Sequence, residues 1–313
     1  MKFEPVKISK VIEQNYSYLM PDFYEMQMEY MNSMNKIYKD LDTALIAMFL
    51  TNKLYQSENK ENYKASHSKF KINEISKSIS IPRETVRRKK IKLIKNKFIL
   101  FNKKKKSYSL NTSLIDKKIL EPQIKISSKM LSNFFSFFIN KDIFSNELDH
   151  VAFKKNVEKN FILYLPILLN FQISYFSGWR KFMDMECIYI AALCALNTSS
   201  QLKRKFNNSN EIFDSSDIFE QIFKLSNKFG LNSTSIAEIT KIPRTTVLRK
   251  LAILEKLNIL KKDKFKRYET QSFVDSAYSR KTLYPYALNT IRLLGILISK
   301  CLETYSSKEL KIT

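Results

Sequence analysis

A segment of the chain occurs twice, at an offset of 161 positions, and this repeat constrains the fold more than any other feature of the sequence. Residues 75–99 read ISKSISIPRETVRRKKIKLIKNKFI, and residues 236–260 read IAEITKIPRTTVLRKLAILEKLNIL. An Ile-Pro-Arg triplet begins at Ile81 in one segment and at Ile242 in the other. Because two copies are too few for a solenoid, the repeat predicts two domains in tandem, each containing one copy.

The length of the chain agrees with two domains. Its 313 residues compare with about 150 residues for a typical domain. We place the boundary between residues 145 and 146, so the predicted domains are 1–145 and 146–313. The polar stretches at residues 56–69 and 198–210 are expected to form loops.

The repeat extends beyond the matched segments, and upstream it does so in two alternative ways. Downstream, the apolar stretches at residues 129–139 and 289–299 lie at an offset of 160 and predict a helix in each domain. Upstream, residues 40–50 resemble residues 184–194 at an offset of 144, but they also resemble residues 217–229. The sequence alone leaves both upstream alignments open.

Each copy has the pattern of two helices joined by a turn. In the later copy, Ser233 or Thr234 is positioned to cap a short helix over residues 235–240. Pro243 favours the start of a second helix at or near its own position, because the missing N–H costs nothing there. The second helix has one apolar stripe, spaced i, i+4, i+7, which predicts a buried face. The stripe consists of Val247, Leu251 and Leu254 in the later copy and of Val86, Lys90 and Leu93 in the earlier one.

The residues after the second helix predict a β hairpin. In the later copy, residues 259–260 and 267–270 have the pattern of its strands, and residues 261–266 that of a charged tip. The predicted fold is therefore mainly α, with two helix-turn-helix units, each followed by a small two-stranded hairpin, plus flanking apolar helices. We call residues 72–110 the first copy and residues 234–270 the second copy.

Most of the net charge of the chain lies in the two copies. The formal net charge is +24, from 54 Lys and Arg against 30 Asp and Glu. Residues 81–106 carry +11 and residues 242–267 carry +7, so 52 of the 313 residues hold +18 of the total. A charge run that only keeps a surface solvated usually mixes both signs. An excess at matched positions of two copies instead predicts a polyanionic partner.

Arginine is concentrated in the same two segments. The chain has 44 Lys but only 10 Arg. Six of the ten arginines lie in these segments: Arg83, Arg87, Arg88, Arg244, Arg249 and Arg267. Because the planar guanidinium pairs with guanine and with phosphate, this concentration predicts a specific use for these side chains. For Arg88, an ion pair with Glu84 on the same helix is the alternative.

Residues 235–261, SIAEITKIPRTTVLRKLAILEKLNILK, resemble the winged helix-turn-helix of bacterial transcriptional regulators of the IclR and MarR types. The shared pattern is a short Ile-Ala helix, a turn, a Thr-Val-x-Arg recognition helix and a Leu-x-x-Leu run that leads into the wing. The first copy resembles a second, more divergent module. The resemblance implies that double-stranded DNA is the partner. IclR-like proteins usually add an effector-binding domain, and no such domain is recognisable in this sequence.

On such a fold, the recognition helix would lie in the major groove, with its first turns against base edges. In the second copy, base contacts are expected from Arg244, Thr245 and Leu248, and phosphate contacts from Arg249 and Lys250. The equivalent positions in the first copy are Arg83, Glu84, Arg87, Arg88 and Lys89. Glu84 is able to accept from cytosine, but a carboxylate that stabilises the helix N-terminus is the favoured interpretation.

The wings are expected to contact phosphate or the minor groove without reading bases. The wing residues are Lys103, Lys104, Lys105 and Lys106 in the first copy and Lys261, Lys262, Lys264, Lys266 and Arg267 in the second. Two unlike recognition helices predict an asymmetric site with two different half-sites, about one helical turn or roughly 34 Å apart. The apolar helices at residues 131–139 and 288–302 are candidates for pairing between modules or for further dimerisation, with core packing as an equal alternative.

A sequence-specific transcriptional regulator is the function that these observations favour. A replication initiator of plasmid or phage type, also built from two winged helices, is the nearest alternative. A protein-interaction scaffold is a second alternative, but such modules need no basic recognition helix, so the charge of +18 counts against it.

The sequence offers little for catalysis or for a cofactor. With three Gly in the chain, a glycine-rich phosphate loop or a dinucleotide fold is not expected. The two histidines, His67 and His150, are not in a metal-ligand spacing with cysteine. Cys187 and Cys194 lie seven apart on an apolar helix and are expected in the core. We expect no enzyme, cofactor or metal, and the sequence does not identify an effector.

A cytoplasmic, nucleoid-associated protein is expected. The most apolar run, residues 161–173, contains Pro166 and is shorter than the about 20 residues that span a bilayer. Three cysteines provide no disulfide framework, and residues 1–10 have no signal-peptide pattern.

Overall fold

The structure is a computed structural model that describes residues 3–56, 71–105, 107–111, 121–141, 143, 149–206, 230–271 and 277–309. It is mainly helical, with two small two-stranded antiparallel sheets. The elements in chain order are α1 (Pro5–Gln14), α2 (Tyr16–Tyr38), α3 (Leu41–Gln56), α4 (Ile72–Ile79), α5 (Arg83–Lys95), β1 (Ile99–Asn102), β2 (Ser107–Leu110), α6 (Glu121–Asn140), α7 (His150–Lys159), α8 (Phe161–Trp179), α9 (Met185–Phe206), α10 (Ser233–Thr240), α11 (Arg244–Lys256), β3 (Leu260–Lys262), β4 (Tyr268–Thr270), α12 (Ala277–Thr282) and α13 (Tyr284–Glu309). The predicted mainly α class is therefore confirmed.

The chain forms two compact units whose limits differ from the predicted domains. Unit 1 contains Tyr30–Phe182 together with the C-terminal segment from Lys300, and unit 2 contains Phe3–Glu29 and Met183–Ser299. The chain thus passes between units after Phe182, whereas the sequence placed the boundary after residue 145. The first copy belongs to unit 1 and the second copy to unit 2.

The N-terminal segment joins unit 2 because α1 packs against α13. A Cβ atom built on Gly295 would lie 2.1 Å from the Ser9 hydroxyl and 2.6 Å from the Pro5 carbonyl, so only glycine permits this approach. The Ser299 hydroxyl also donates a hydrogen bond to the carbonyl of Phe3. This contact joins residues almost three hundred positions apart, and no local pattern in the sequence indicates it.

The two copies have the same local backbone. Helices α4 and α10 begin at the same relative position, as do α5 and α11. Left-handed backbone follows the shorter helix at Ser80 and Lys241, and it follows the longer helix at Lys97 and Asn258. These matched turns, each at an offset of 161, support an internal duplication.

The described residues support the upstream alignment at an offset of 144. Helices α3 and α9 begin 144 positions apart, and each packs against the two helices of its own copy. Residues 217–229, the alternative partner, lie outside the described residues. Helix α9 continues to Phe206, so the predicted loop at residues 198–210 is wrong over its first part, and residues 207–210 are not described. In the other predicted loop, Gln56 still belongs to α3, and the rest is not described.

Each hairpin pairs its strands in antiparallel register. Ile99 lies opposite Leu110 in the first copy, and Leu260 lies opposite Thr270 in the second. The strands of the second hairpin are Leu260–Lys262 and Tyr268–Thr270, so the tip is shorter than predicted. The cap of α10 also differs, because the side chain of Asn232 accepts from the amide of Ser235 at 2.8 Å.

The helix after the first hairpin contributes to the core of unit 1. Helix α6 packs on α7, and the rings of Phe135 and Phe153 lie 4.8 Å apart. Six apolar side chains of α6 are buried: Met130, Leu131, Phe134, Phe135, Phe137 and Phe138. For residues 131–139, core packing is therefore the better-supported of the two predicted roles.

Helix α8 is longer than the apolar run that the sequence indicated. It extends over Phe161–Trp179, 19 residues, and by length and composition it is the one described helix able to cross a membrane. Half of its most apolar window is buried inside the protein, and it packs on α3, α4 and α7. The length argument against a membrane span was thus wrong, and the packing of α8 is that of a core helix.

Candidate nucleic-acid interface

The second helix of each copy is anchored by the predicted apolar stripe. Val86 and Leu93 in α5, like Val247, Leu251 and Leu254 in α11, have no exposed surface. Their assignment to the core is confirmed. Burial of these side chains fixes which face of each helix points outward.

Lys90 occupies the position on this stripe where the second copy has Leu251, and its ammonium group has polar contacts there. Its Nζ donates to the hydroxyl of Tyr108 at 3.2 Å and lies 4.8 Å from the centre of the same ring. The ammonium group of Lys90 thus lies over the ring of Tyr108 on β2 and donates to its hydroxyl. This is the arrangement expected of a lysine that lies along an apolar surface.

A lysine–aspartate ion pair connects the second helix of each copy to the long helix that precedes the copy. We call this helix, α3 for the first copy and α9 for the second, the scaffold helix. Lys89 of α5 pairs with Asp40 at the start of α3, and Lys250 of α11 pairs with Asp184 at the start of α9. Each aspartate also caps its helix, since Asp40 accepts from the amide of Thr43 at 2.8 Å and Asp184 from that of Cys187 at 3.0 Å.

Lys89 and Lys250 were predicted as phosphate contacts, but the structure places both side chains in ion pairs within the protein. The side chain of Lys250 is 7% exposed and also pairs with Glu186 at 3.0 Å. The side chain of Lys89 is 16% exposed. The sequence shows only that both lysines lie on basic helices, whereas their partners lie on another helix 49 and 66 residues earlier.

The ion pairs shift the pKa values of Asp40, Asp184 and Lys250. Burial would raise the pKa of the Asp40 and Asp184 carboxyls, but hydrogen bonds from the lysines and from backbone amides outweigh it, and both pKa values lie below the ordinary value. Burial would lower the pKa of Lys250, but hydrogen bonds to Asp184 and Glu186 raise it overall. Asp40, Asp184 and Lys250 are therefore charged at neutral pH.

The outward face of α5 is charged and partly preorganised. Arg83, Glu84, Arg87 and Arg88 are all exposed. The Arg87 guanidinium donates to both carboxylate oxygens of Glu84, with Nη2 to Oε1 at 2.7 Å and Nε to Oε2 at 3.0 Å. This hydrogen bond lowers the pKa of Glu84 and raises that of Arg87. The partner of Glu84 is thus Arg87, one turn away, rather than Arg88 as considered from the sequence.

The outward face of α11 differs at the same positions. Arg244, Thr245, Leu248 and Arg249 are exposed, and Leu248 has 41% of its surface accessible. At an offset of 161, Thr245 stands where Glu84 stands and Leu248 where Arg87 stands. An ion pair in one copy is therefore replaced by a hydroxyl and an apolar side chain in the other.

The hairpins supply further exposed cations. Lys103, Lys104 and Lys105 at the first tip are exposed, and Lys106 lies outside the described residues. Lys262, Lys264 and Lys266 are exposed in the second hairpin. Two of the predicted wing cations are engaged within that hairpin: Lys261 pairs with the buried Glu269 at 3.3 Å, and Arg267 pairs with Asp263 at 2.8 Å.

Phe265, at the tip of the second hairpin, is a residue that the sequence analysis missed. It is 63% exposed between Lys264 and Lys266. The sequence signal that could have identified Phe265 is a phenylalanine between two lysines in a predicted turn.

The described residues contain no group of three or more His, Cys, Asp or Glu side chains able to hold a metal ion. Cys187 and Cys194 are buried, as predicted, and burial raises the pKa of both thiols to about 12. Both are therefore neutral packing residues.

Comparisons of the chain with protein-family models, with curated proteins and with solved structures found no match. The resemblance to bacterial winged helix-turn-helix regulators therefore stays a prediction.

Proposed function

We propose that each copy is a winged helix-turn-helix and that the protein binds double-stranded DNA in a sequence-specific manner, as a cytoplasmic transcriptional regulator. The observation that carries the proposal is the repeated separation of charge on α5 and α11. In both helices the inward lysine is paired with an aspartate of the scaffold, while the outward arginines remain exposed. A helix of this kind presents its cations to a polyanion without needing them for its own packing.

The scaffold contacts support this use of the helices. A recognition helix must hold its side chains in one orientation relative to the groove, because a loose helix would lose base discrimination. The buried stripe fixes rotation about the helix axis, and the pairs of Lys89 with Asp40 and of Lys250 with Asp184 fix the helix against its scaffold partner.

The exposed residues suggest that the two copies read different bases. Arg87 is held by Glu84 through two hydrogen bonds, and a guanidinium so oriented suits the two acceptors of guanine. Leu248 offers an apolar contact instead, which suits the methyl group of thymine. We therefore infer a guanine-containing half-site for the first copy and a thymine-containing half-site for the second.

The hairpins would act as wings that contact the backbone. Exposed lysines at a hairpin tip neutralise phosphates, and each contact adds about 0.9 to the slope of log affinity against log salt. Such contacts carry no base code, so they set affinity rather than sequence preference.

The test is binding of a labelled duplex, followed by fluorescence anisotropy over about 50 to 200 mM salt. Lys103, Lys104 and Lys105 are changed to alanine in one variant, and Lys262, Lys264 and Lys266 in another. Each triple substitution should reduce the slope by about 2 to 3 and the affinity at about 0.15 M salt by about a hundredfold.

A matched control removes three exposed lysines outside the copies, Lys125, Lys155 and Lys159 on α6 and α7. This variant loses the same net charge and should keep most of its affinity and its slope. Equal losses in all three variants would mean that only net charge matters, and absence of binding by the unaltered protein would refute the proposal.

A further inference from the structure

The tip of the second hairpin holds a large apolar side chain in water. Phe265 is 63% exposed, although its ring would gain free energy from burial. A flexible loop would let such a ring fold back on the protein surface. The hairpin tip instead keeps the ring exposed to solvent.

Asp263 builds the tip into a rigid turn. Its Oδ1 accepts from the amides of Phe265 and Arg267, each at 2.8 Å, and its Oδ2 accepts from Nε of Arg267 at 2.8 Å. The carbonyl of Asp263 accepts from the amide of Lys266 at 3.0 Å, and Lys266 adopts left-handed backbone with φ of 60°. The carboxylate and the carbonyl of Asp263 thus fix Phe265, Lys266 and Arg267 in one turn.

Two cationic side chains lie close to the ring of Phe265. Nζ of Lys264 lies 5.2 Å from the ring centre, and the guanidinium carbon of Arg267 lies 4.9 Å from it. Lys262 and Lys266 are exposed nearby in sequence. An aromatic ring among cations suits nucleic acid, where phosphates meet the charges and base faces meet the ring. An apolar protein surface would supply no counterion for Lys264, whereas Arg267 already pairs with Asp263.

We propose that Phe265 is a wedge that enters the minor groove and inserts between two base pairs. The inference rests on the proposed DNA binding, in which α11 lies in the major groove and the second hairpin acts as a wing against the minor groove. Apolar side chains inserted in this way partly unstack a base step and kink the duplex by about 20–90°. Lys264 and Lys266, both exposed at the tip, neutralise the phosphates on either side of the opened step.

The first hairpin provides an internal contrast. Its tip carries Lys103, Lys104 and Lys105 at the described positions, and a lysine offers no flat ring to insert. The kink should therefore occur beside the half-site of the second copy and not beside that of the first.

Ligase-catalysed ring closure of a duplex of about 150 base pairs tests the wedge, because a fragment of about one persistence length closes slowly unless it is kinked. The full chain is used at saturating concentration, so that differences in affinity do not matter. The unaltered protein should accelerate closure about tenfold, and Phe265→Ala should abolish the acceleration. Phe265→Leu keeps an apolar wedge and should retain most of it.

Val6→Ala is the control, since Val6 is an apolar side chain of unit 2 that is 79% exposed and lies outside the hairpin. It should close rings as fast as the unaltered protein. Phe265 is uncharged, so Phe265→Ala should also keep the salt slope of binding.

The outcomes separate the two proposals. If Phe265→Ala binds the duplex with an unchanged slope and still accelerates closure, the wedge is refuted and the proposed DNA binding stands. If the unaltered protein does not bind duplex at all, both are refuted. A second reading from 2-aminopurine placed at the opened step should show increased fluorescence with the unaltered protein and none with Phe265→Ala.

Discussion

The two copies agree in what they bury and differ in what they expose. Both bury the first and last side chains of the stripe, and both pair an inward lysine with the capping aspartate of a scaffold helix. On the exposed face, Thr245 and Leu248 in the second copy occupy the positions of Glu84 and Arg87 in the first. A lysine tip in one hairpin becomes a phenylalanine tip in the other.

This pattern separates the residues that hold the fold from those that are available for the proposed recognition. After duplication, both copies still need the same contacts to hold their second helix, so those contacts remain alike. Residues that only meet a partner are free to diverge when the two copies meet different surfaces. The comparison thus supports a single chain that binds an asymmetric partner through two modules.

The largest expected effect is a loss of stability when a matched buried side chain of either copy is shortened. Leu93→Ala in α5 and Leu254→Ala in α11 remove matched side chains that have no exposed surface. Each should lower the free energy of unfolding by about 3 kcal/mol, from lost burial and from the cavity left behind. Urea unfolding of the two variants measures this. A loss in only one of them would show that the copies are not packed alike.

The lysine–aspartate pairs should differ in their contributions, because their surroundings differ. Asn at position 40 or 184 still caps the helix but removes the charge, so Asp40→Asn and Asp184→Asn isolate the ion pair. Asp40→Asn should cost about 2 kcal/mol, less than a fully buried pair because both side chains are partly exposed. Asp184→Asn should cost about 1 kcal/mol, since Glu186 remains beside Lys250.

The same urea measurements decide the point. Equal losses in Asp40→Asn and Asp184→Asn would contradict the role assigned to Glu186. Retained stability in both variants would show that the pairs do not hold the helices.

The difference between the exposed residues Arg87 and Leu248 should appear as a difference in base preference. Arg87→Ala should reduce discrimination for guanine in its half-site by about tenfold, within the range of about 1–3 kcal/mol for a bidentate contact. Leu248→Ala should weaken preference for thymine by a smaller factor, because a methyl contact is worth less. Competition between duplexes that differ at one base pair measures both effects. If Arg87→Ala left discrimination unchanged at every position, the reading role of Arg87 would be wrong.

The smallest effect is a dependence of stability on pH. The pKa of the Asp40 carboxyl lies below its ordinary value in the folded protein, so its contribution is present above the unfolded pKa of about 4. That contribution is lost as the pH falls through the lower, folded pKa. The difference in unfolding free energy between the unaltered protein and Asp40→Asn should therefore shrink in acid. A difference that stayed constant down to about pH 2 would argue against the ion pair.

Local elements of the copies could be predicted from the sequence. The stripe of Val247, Leu251 and Leu254 follows from helical periodicity, and the turn before Pro243 follows from the properties of proline. These features depend on neighbours within a few residues, so the sequence pattern contains them.

Contacts between distant segments could not be predicted in the same way. The burial of Lys250 depends on Asp184, and the place of α1 depends on the close approach of Gly295 to Ser9. A lysine in a basic run has the same appearance whether it faces solvent or an aspartate from another helix. The composition therefore located the charged surface but did not separate its structural cations from its exposed ones.

Selection of bound sequences from a random duplex pool, at about 0.15 M salt, tests the central claim most directly. The account predicts an enriched site with two unlike halves, one with guanine that is lost in Arg87→Ala and one with thymine that is weakened in Leu248→Ala. A palindromic site would contradict the different reading by the two copies, and no enrichment would contradict sequence-specific binding itself.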